Sequence, residues 1–174
     1  MKNRTLRQIT AAGVIAAAYA ALSLVLASTT FGPVQCRVSE ALTLLPVISP
    51  AAIWGVTLGC AVTNGVGAAT GTNFLGLVDL PVGTAATLLA AVATRLLGKI
   101  RFGGVPWLSA LPPILFNAVA IGAEWCYAAT GSINVAFWAF AGQIALGQLP
   151  PCLLGVWLIH LLERRGLQNI IEGK

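Results

Sequence analysis

Charged residues are scarce in this sequence. Asp, Glu, Lys and Arg make up only 9% of the 174 residues, whereas an average soluble domain contains about 25%. Hydrophobic residues make up 57%, and this composition excludes an ordinary soluble domain. We therefore expect an all-α integral membrane protein, in which residues 1–174 form a single membrane domain of about six helices.

Motifs of enzymatic chemistry are missing as well. The sequence has no nucleotide-binding P-loop, no H-E-x-x-H zinc motif and no nucleophile beside a base. We expect no catalytic residue, no metal and no cofactor, and no ATP hydrolysis by this chain itself. The single histidine, His160, lies near Glu163 and is expected to reach the membrane interface.

Neither the cysteines nor the net charge points to a further class of protein. The four cysteines lack C-x-x-C pairing, so we expect small buried side chains and leave a Cys36–Cys126 disulfide open. The net charge of +5 does not indicate nucleic-acid binding, because the basic residues cluster at the ends of apolar runs.

The basic residues indicate six membrane crossings, although only five apolar runs are visible. They lie at the N-terminus, after the third run and at the C-terminus, and the positive-inside rule places all three clusters in the cytoplasm. An even number of crossings must then separate the first two clusters, so the run from Ala41 to Ala69 has to cross twice. The basic residues in question are Lys2, Arg4, Arg7, Arg95, Lys99, Arg101, Arg164, Arg165 and Lys174.

The predicted spans are residues 8–28, 38–48, 51–69, 79–97, 107–129 and 135–162, with both termini cytoplasmic. Pro46 and Pro50 divide the second run and leave a short, broken second helix over 38–48. At 1.5 Å per residue such a helix covers about 15 Å, against about 30 Å of hydrocarbon. The first span could instead be a signal peptide, but at about 19 residues it exceeds the expected apolar core of such a peptide.

Four ionisable residues do not belong to the basic clusters. Arg37, Glu40 and Asp79 fall near the predicted outer face, and Glu124 lies inside an apolar run. An ionisable residue within a span is by default a functional candidate, so we predict that these four side chains line an outward cavity. The alternatives are structural: an Arg37–Glu40 pair at i, i+3, an N-cap role for Asp79, and a Glu124–Arg37 pair across the bundle.

Polar and aromatic side chains accompany these charges. Asn73 and Asn117 are expected near Asp79 and Glu124, and Gln143 is expected in the outer half of the last helix. Trp125 and Trp138 add flat apolar surfaces. Together these groups predict a binding site for a flat, nitrogen-rich polar molecule. The alternative for each tryptophan is an interfacial aromatic belt.

Small residues form two stripes along the first helix. Ala12, Ala16 and Ala20 make one stripe, and Gly13, Ala17 and Ala21 make the other. Surfaces of this kind let a second helix approach closely. We predict that one stripe docks a partner protein, and the alternative is packing within the bundle itself.

Three segments resemble one known family. The segments "FGPVQCRVSEALTLLPVISPAAIWGVTLGC", "LVDLPVGTAATLLAA" and "LPPILFNAVAIGAEW" are similar to those of QueT-type queuosine-precursor transporters. These are substrate-binding S subunits of energy-coupling factor (ECF) importers. The resemblance covers about residues 4–160, and its most specific part is Q-x-R-V-S-E-A-L-T.

The resemblance implies a six-helix S subunit in a prokaryotic cell membrane. Its partners would be a transmembrane coupling subunit and two cytoplasmic ATPase subunits, which use the ATP, and one of the stripes would dock the coupling subunit. Its substrate would be a 7-deazaguanine such as queuine or a precursor. Glu124 is the first candidate and Glu40 the second to accept the donor edge of that base, and Asp79 is a candidate to meet a cationic aminomethyl substituent. The same architecture with another vitamin, and a membrane interaction protein without transport, are the rival interpretations.

Overall fold

A computed structural model describes residues 2–32 and 34–166 of the chain, and Lys174 of the predicted basic C-terminus lies outside them. The described residues form helices and no named strand, with one isolated bridge between Phe102 and Val105. The predicted all-α membrane bundle is confirmed. Its α-helices are α1 (Lys2–Val25), α2 (Ala27–Thr30), α3 (Ala51–Thr70), α4 (Asp79–Leu97), α5 (Leu111–Thr130) and α6 (Phe137–Arg164).

Five segments are long and apolar enough to cross a membrane: Arg4–Val25, Ala51–Thr70, Gly76–Leu97, Trp107–Thr130 and Phe137–Arg164. The predicted second span is a shorter apolar helix, Val38–Val47. The six predicted spans thus correspond to five helices that are long enough to cross a membrane and one shorter apolar helix. Within the predicted span 107–129, Trp107–Ala110 is a 3₁₀ helix, and the α-helix starts afterwards with prolines in its first turn, where no backbone N–H is needed.

The short segment Val38–Val47 is a 3₁₀ helix, which we call the short helix. Its rise of about 2.0 Å per residue gives a length near 20 Å, more than the α-helical value predicted from the sequence. Pro46 lies inside it and Pro50 caps α3. The short helix is mostly buried, which agrees with the rule that a segment too short to span must be enclosed by protein.

Helices α1 and α3 run side by side along a seam of small residues. A Cβ added at Gly55 would lie 2.8 Å from the Ile15 Cβ, and one added at Gly59 would lie 2.7 Å from the Tyr19 Cβ and 2.9 Å from the Ala16 carbonyl oxygen. No side chain larger than hydrogen fits at these two positions without displacing α1. The seam therefore fixes the register of α1 against α3.

The described basic residues other than Arg37, from Arg4 to Arg165, lie at one end of the bundle, which we call the basic end. There Arg101 donates two hydrogen bonds to the Glu163 carboxylate, at 2.5 and 2.7 Å, and Arg95 donates to the Pro46 carbonyl at 2.8 Å. The hydrogen bonds with Glu163 raise the pKa of Arg101 above its ordinary value. These contacts tie the α4–α5 connection to α6, and α4 to the short helix.

Candidate ligand-binding site

The opposite end of the bundle, which we call the loop end, consists of residues 34–37, 71–78 and 131–136 together with the adjoining helix ends. All four unusual charges predicted from the sequence lie here. Arg37 precedes the short helix and Glu40 is in its first turn, Asp79 begins α4, and Glu124 lies two turns before the end of α5.

Arg37 is buried, with only 4% of its surface exposed. Its guanidinium donates to the Cys60 sulfur at 3.7 Å and to the Asn64 side-chain oxygen at 3.4 Å, both on α3. It also lies over the ring of Phe31, 5.7 Å from the centroid, within the range of a cation–π interaction. Its Nε is buried and has no hydrogen-bond partner.

Glu40 is held from the other side of the bundle. It is 1% exposed, and the Tyr19 hydroxyl of α1 donates to its Oε1 at 2.6 Å. Its Oε2 is buried without a partner. Within the described part of the chain Arg37 and Glu40 form no ion pair, so the alternative of a local i, i+3 pair is not what the structure has.

Arg37 and Glu40 do not pair because of the backbone conformation at Arg37. This residue has extended torsion angles (φ −92°, ψ 102°) and stands outside the helix that begins at Val38. The i, i+3 rule applies to residues within one helix. Arg37 therefore projects towards α3, while Glu40 projects towards α1.

Asp79 is completely buried at the start of α4. The Asn73 amide donates to its Oδ2 at 2.8 Å, and the Asn64 amide donates to its backbone carbonyl at 2.9 Å. Oδ1 has no partner and packs against Gly83, where an added Cβ would collide with it. The N-cap alternative is not seen, because the helix starts at Asp79 itself and makes no side-chain cap hydrogen bond.

Glu124 is partly buried on α5, and neither of its carboxylate oxygens has a hydrogen-bond partner. Among the described residues it forms no ion pair with Arg37, which was its structural alternative. The neighbouring Trp125 stacks on Phe74 of the second loop, with centroids 5.1 Å apart and ring planes 13° apart. This aromatic pair joins α5 to the loop that carries Asn73.

Asn117 belongs to a second polar chain, which links α5, α6 and the first loop. Its amide donates to the Gln148 oxygen at 3.5 Å, and the Gln148 amide donates to the Gln35 carbonyl at 3.3 Å. Gln35 has φ +47°, in the left-handed region that a side chain disfavours. Beside it, the Val34 carbonyl lies where a side chain at Gly147 would be, so only glycine fits there.

Gln143 and Trp138 are not brought into the buried cluster. Gln143 is exposed on α6, and Trp138 is 74% exposed and packs edge-on against Phe137. The position of Trp138 agrees with the alternative of an aromatic residue at the membrane interface.

Three residues of the cluster were missed from the sequence, namely Tyr19, Asn64 and Gln148. Asn64 and Gln148 are polar side chains inside apolar runs, and that signal would have been enough to select them. Tyr19 carries no comparable signal, since a tyrosine in an apolar helix is ordinary. Its role depends on the contact with Glu40, 21 positions away in sequence.

The two stripes on α1 have different surroundings. Ala12 and Ala20 are buried at 9% and 8% exposure, and Ala16 faces Gly59 in the seam with α3. Gly13, Ala17 and Ala21 are exposed, and an added Cβ at Gly13 would meet nothing within 4 Å. The first stripe thus packs within the bundle, which was the alternative to docking a partner. The second stripe is exposed on the surface.

No disulfide joins Cys36 and Cys126, and all four cysteines, each within the described ranges, are free. Cys126 interacts with the Ser132 carbonyl at 3.4 Å instead. Over residues 2–32 and 34–166, no group of three or more His, Cys, Asp or Glu residues is arranged to hold a metal ion.

The helices define a multi-pass membrane protein with a buried charged cluster at one end of its bundle. Residues 9–164 match the family model described as "QueT transporter", and this match covers most of the chain. The chain belongs to the QueT transporter family. Comparison with curated proteins gives no match, and comparison with solved structures gives none either.

Proposed function

We propose that this protein is the substrate-binding S subunit of an ECF importer and that it captures a queuosine precursor of the 7-deazaguanine class. Membership of the QueT transporter family supports transport of a small molecule across the membrane. The substrate, the ECF partners and the residues that bind the substrate are our inference.

The observation that carries the proposal is the set of buried carboxylate oxygens without partners. Glu124 has two, and Glu40 and Asp79 have one each. Leaving a buried charged acceptor unsatisfied costs at least about 1 to 3 kcal/mol, so such oxygens are expected to have donors in the working state. A guanine-like edge presents adjacent N–H donors that a carboxylate can accept in a bidentate, charge-assisted manner.

Within this proposal Glu124 takes the donor edge of the base. Its two oxygens are both free, as bidentate recognition requires, whereas one oxygen of Glu40 is already occupied by Tyr19. The flat ring of the base would lie near the Trp125–Phe74 stack, next to Glu124 along the chain. Asn117 and Asn73 supply further amide groups in the neighbouring polar chains.

Calorimetry on the purified subunit tests this assignment. We expect 7-deazaguanines to bind, and we expect Glu124→Gln to weaken binding by about 10-fold to 150-fold, because the acceptor pair loses an oxygen and gains a donor. Glu163→Gln is the matched control: it makes the same change at the basic end, where the carboxylate is paired with Arg101.

Other outcomes separate the rival interpretations. Binding of a different vitamin in a thermal-shift screen, with no response to 7-deazaguanines, would indicate an S subunit of another specificity. Absence of any soluble ligand would favour a membrane interaction protein. Near-wild-type affinity in both Glu124→Gln and Glu40→Gln would make these charges structural and the site assignment wrong.

The proposed energy source is a partner, because the sequence has no P-loop. We propose that a transmembrane coupling subunit, which joins two cytoplasmic ATPases, docks on the stripe Gly13, Ala17 and Ala21. This stripe is exposed, whereas Ala12, Ala16 and Ala20 are committed to the seam with α3. ATP hydrolysis in that complex would reorient the subunit and deliver the substrate inward.

Bulky substitutions distinguish the two stripes. Ala17→Leu together with Ala21→Leu should abolish co-purification with the coupling subunit while substrate binding in the isolated subunit persists. Ala16→Leu should instead lower the melting temperature of the isolated subunit, because it enlarges the seam. Normal assembly of the Ala17→Leu, Ala21→Leu variant would refute docking on this stripe.

The proposed orientation has both termini in the cytoplasm and the loop end outside, as the positive-inside rule requires. On a background without native cysteines, Leu77→Cys and Ser132→Cys should react with a membrane-impermeant reagent in intact cells, and both positions are exposed at the loop end. Labelling of Lys99→Cys in place of these two would invert the topology.

A further inference from the structure

A groove runs along the surface of the bundle between α1 and α3, at the basic end. Its volume is about 530 Å³. The floor of the groove includes the small, buried side chains of Ala12 and Ala51, and its rims carry large side chains. Those at the rims are exposed, at 64% for Ile9, 61% for Trp54 and 54% for Leu58.

The size of the groove suits an extended hydrocarbon chain. It follows α1 from Thr5 to Gly13, which is about 12 Å, so its mean cross-section is about 45 Å². A helix with its side chains is about 10–12 Å wide and needs a cross-section of about 80 Å² or more. Both α1 and α3 belong to segments long enough to cross a membrane, and the groove therefore opens towards lipid.

The groove is polar at one end only. Thr5 and Gln8 line it nearest the start of α1, which is the side of the basic end. A threonine hydroxyl and a glutamine amide can both donate to phosphate oxygens. Arg4 is exposed and precedes Gln8 by one turn, so its side chain lies beside this polar end.

The charge around this polar end is positive. Among the described residues of the basic end, Glu163 is the one acidic side chain, and Arg101 pairs with it. In the proposed orientation the basic end faces the cytoplasmic leaflet, which contains the anionic lipids. Basic pockets between spans on this side of a membrane attract anionic headgroups.

We propose that the groove is a binding site for one anionic phospholipid. An acyl chain lies between Ile9 and Trp54, and the phosphate accepts hydrogen bonds from Thr5, Gln8 and Arg4. The site is at the opposite end of the bundle from the charged cluster. The inference therefore does not depend on which substrate the protein transports.

Two lipids with the same acyl chains test the proposal. Dioleoyl phosphatidylglycerol is anionic, and dioleoyl phosphatidylcholine is zwitterionic. Native mass spectrometry of the full chain, released from detergent and titrated with each lipid, gives the two affinities. We expect phosphatidylglycerol to bind at least about fivefold more tightly, the difference expected from one basic residue beside the membrane surface.

Arg4→Gln tests the headgroup contact. It should bring the ratio of the two affinities close to one, because the amide retains a polar group without the charge. Arg165→Gln is the matched control, since it removes one charge from an exposed position just after α6, outside the groove lining. The control should keep the ratio of the unmodified protein.

Trp54→Ala tests the acyl-chain contact. It should weaken binding of both lipids by about threefold to tenfold, because apolar contact is lost, and it should leave their ratio unchanged. Trp157→Ala is the matched control, since Trp157 is 59% exposed on α6 and does not line the groove. Both affinities should persist in that variant.

Several results would overturn the proposal. Equal affinities for the two lipids in the unmodified protein would refute selection of an anionic headgroup, and binding of neither lipid would refute the site. Unchanged affinities in both Arg4→Gln and Trp54→Ala would place the lipid elsewhere. A dimer that Trp54→Ala dissociates would assign the groove to a second copy of the chain. Loss of the coupling subunit from Trp54→Ala, with lipid affinities unchanged, would assign it to that partner.

Discussion

The seam between α1 and α3 and the charged cluster at the loop end are both buried, but they are buried in different ways. In the seam, the space beside Gly55 and Gly59 is filled by atoms of α1. In the cluster, Arg37, Glu40, Asp79 and Glu124 each keep at least one polar atom without a partner. Burial alone therefore does not separate a structural contact from a candidate binding site. The presence of unsatisfied polar atoms does.

Arg37→Met tests the charged cluster, and we expect it to have the largest effect on stability. It removes the positive charge together with the hydrogen bonds to Cys60 and Asn64 and leaves the Asn64 acceptor without this donor, which should destabilise the protein by about 1–3 kcal/mol. The melting temperature in detergent measures this. Arg4→Met, at an exposed position of the basic end, is the control and should be nearly neutral. Equal melting temperatures for the two variants would show that the cluster does not depend on its guanidinium.

Gly59→Ala tests the seam, and Gly13→Ala is its matched partner on the exposed side of α1. The added methyl at Gly59 overlaps Tyr19 and Ala16, so overpacking should cost about 1–3 kcal/mol. At Gly13 the methyl meets nothing within 4 Å, and the better helix propensity of alanine should add about 0.5–1 kcal/mol. The two melting temperatures should therefore shift in opposite directions, and a shift of the same sign would contradict the seam.

Arg101→Gln gives the smallest expected effect, because its ion pair with Glu163 is partly exposed, at 33% and 21% for the two side chains. Pairs of this kind contribute at most about 1 kcal/mol and are screened by salt. The variant should lower the melting temperature slightly at low ionic strength and not at all at high salt. A large decrease in melting temperature that does not depend on salt would show that this ion pair behaves as a buried contact.

Much of the fold could be predicted from composition and from the placement of Lys and Arg. The lack of charge indicated a membrane bundle, and the parity of the basic clusters predicted that the apolar run from Ala41 to Ala69 is divided, as the separate short helix Val38–Val47 and α3 show. Those features depend on sums over many residues. They are therefore insensitive to the exact geometry of any one side chain.

The arrangement of the site was harder to predict, because it depends on the directions in which side chains point. Those directions are determined by packing against parts of the chain that are distant in sequence. The spacing of Arg37 and Glu40 suggested a local pair, yet the chain enters its helix only after Arg37, and the two side chains diverge. Gln148 reaches Gln35 across 113 positions of sequence. No local pattern carries that information, although polar residues inside apolar runs identify the participants.

The packing of the first loop on α6 has a consequence for the speed of binding. The Val34 carbonyl covers Gly147, and Gln35 is held in a left-handed conformation by the Gln148 hydrogen bond. A ligand that enters past this loop must wait for the loop to lift, and association that waits for a conformational change is slower than the diffusional encounter. The observed rate of binding, followed by tryptophan fluorescence in stopped flow, should therefore reach a plateau as ligand concentration rises. Gln148→Leu should raise that plateau, whereas a rate that stays linear in concentration would show that the loop does not control entry.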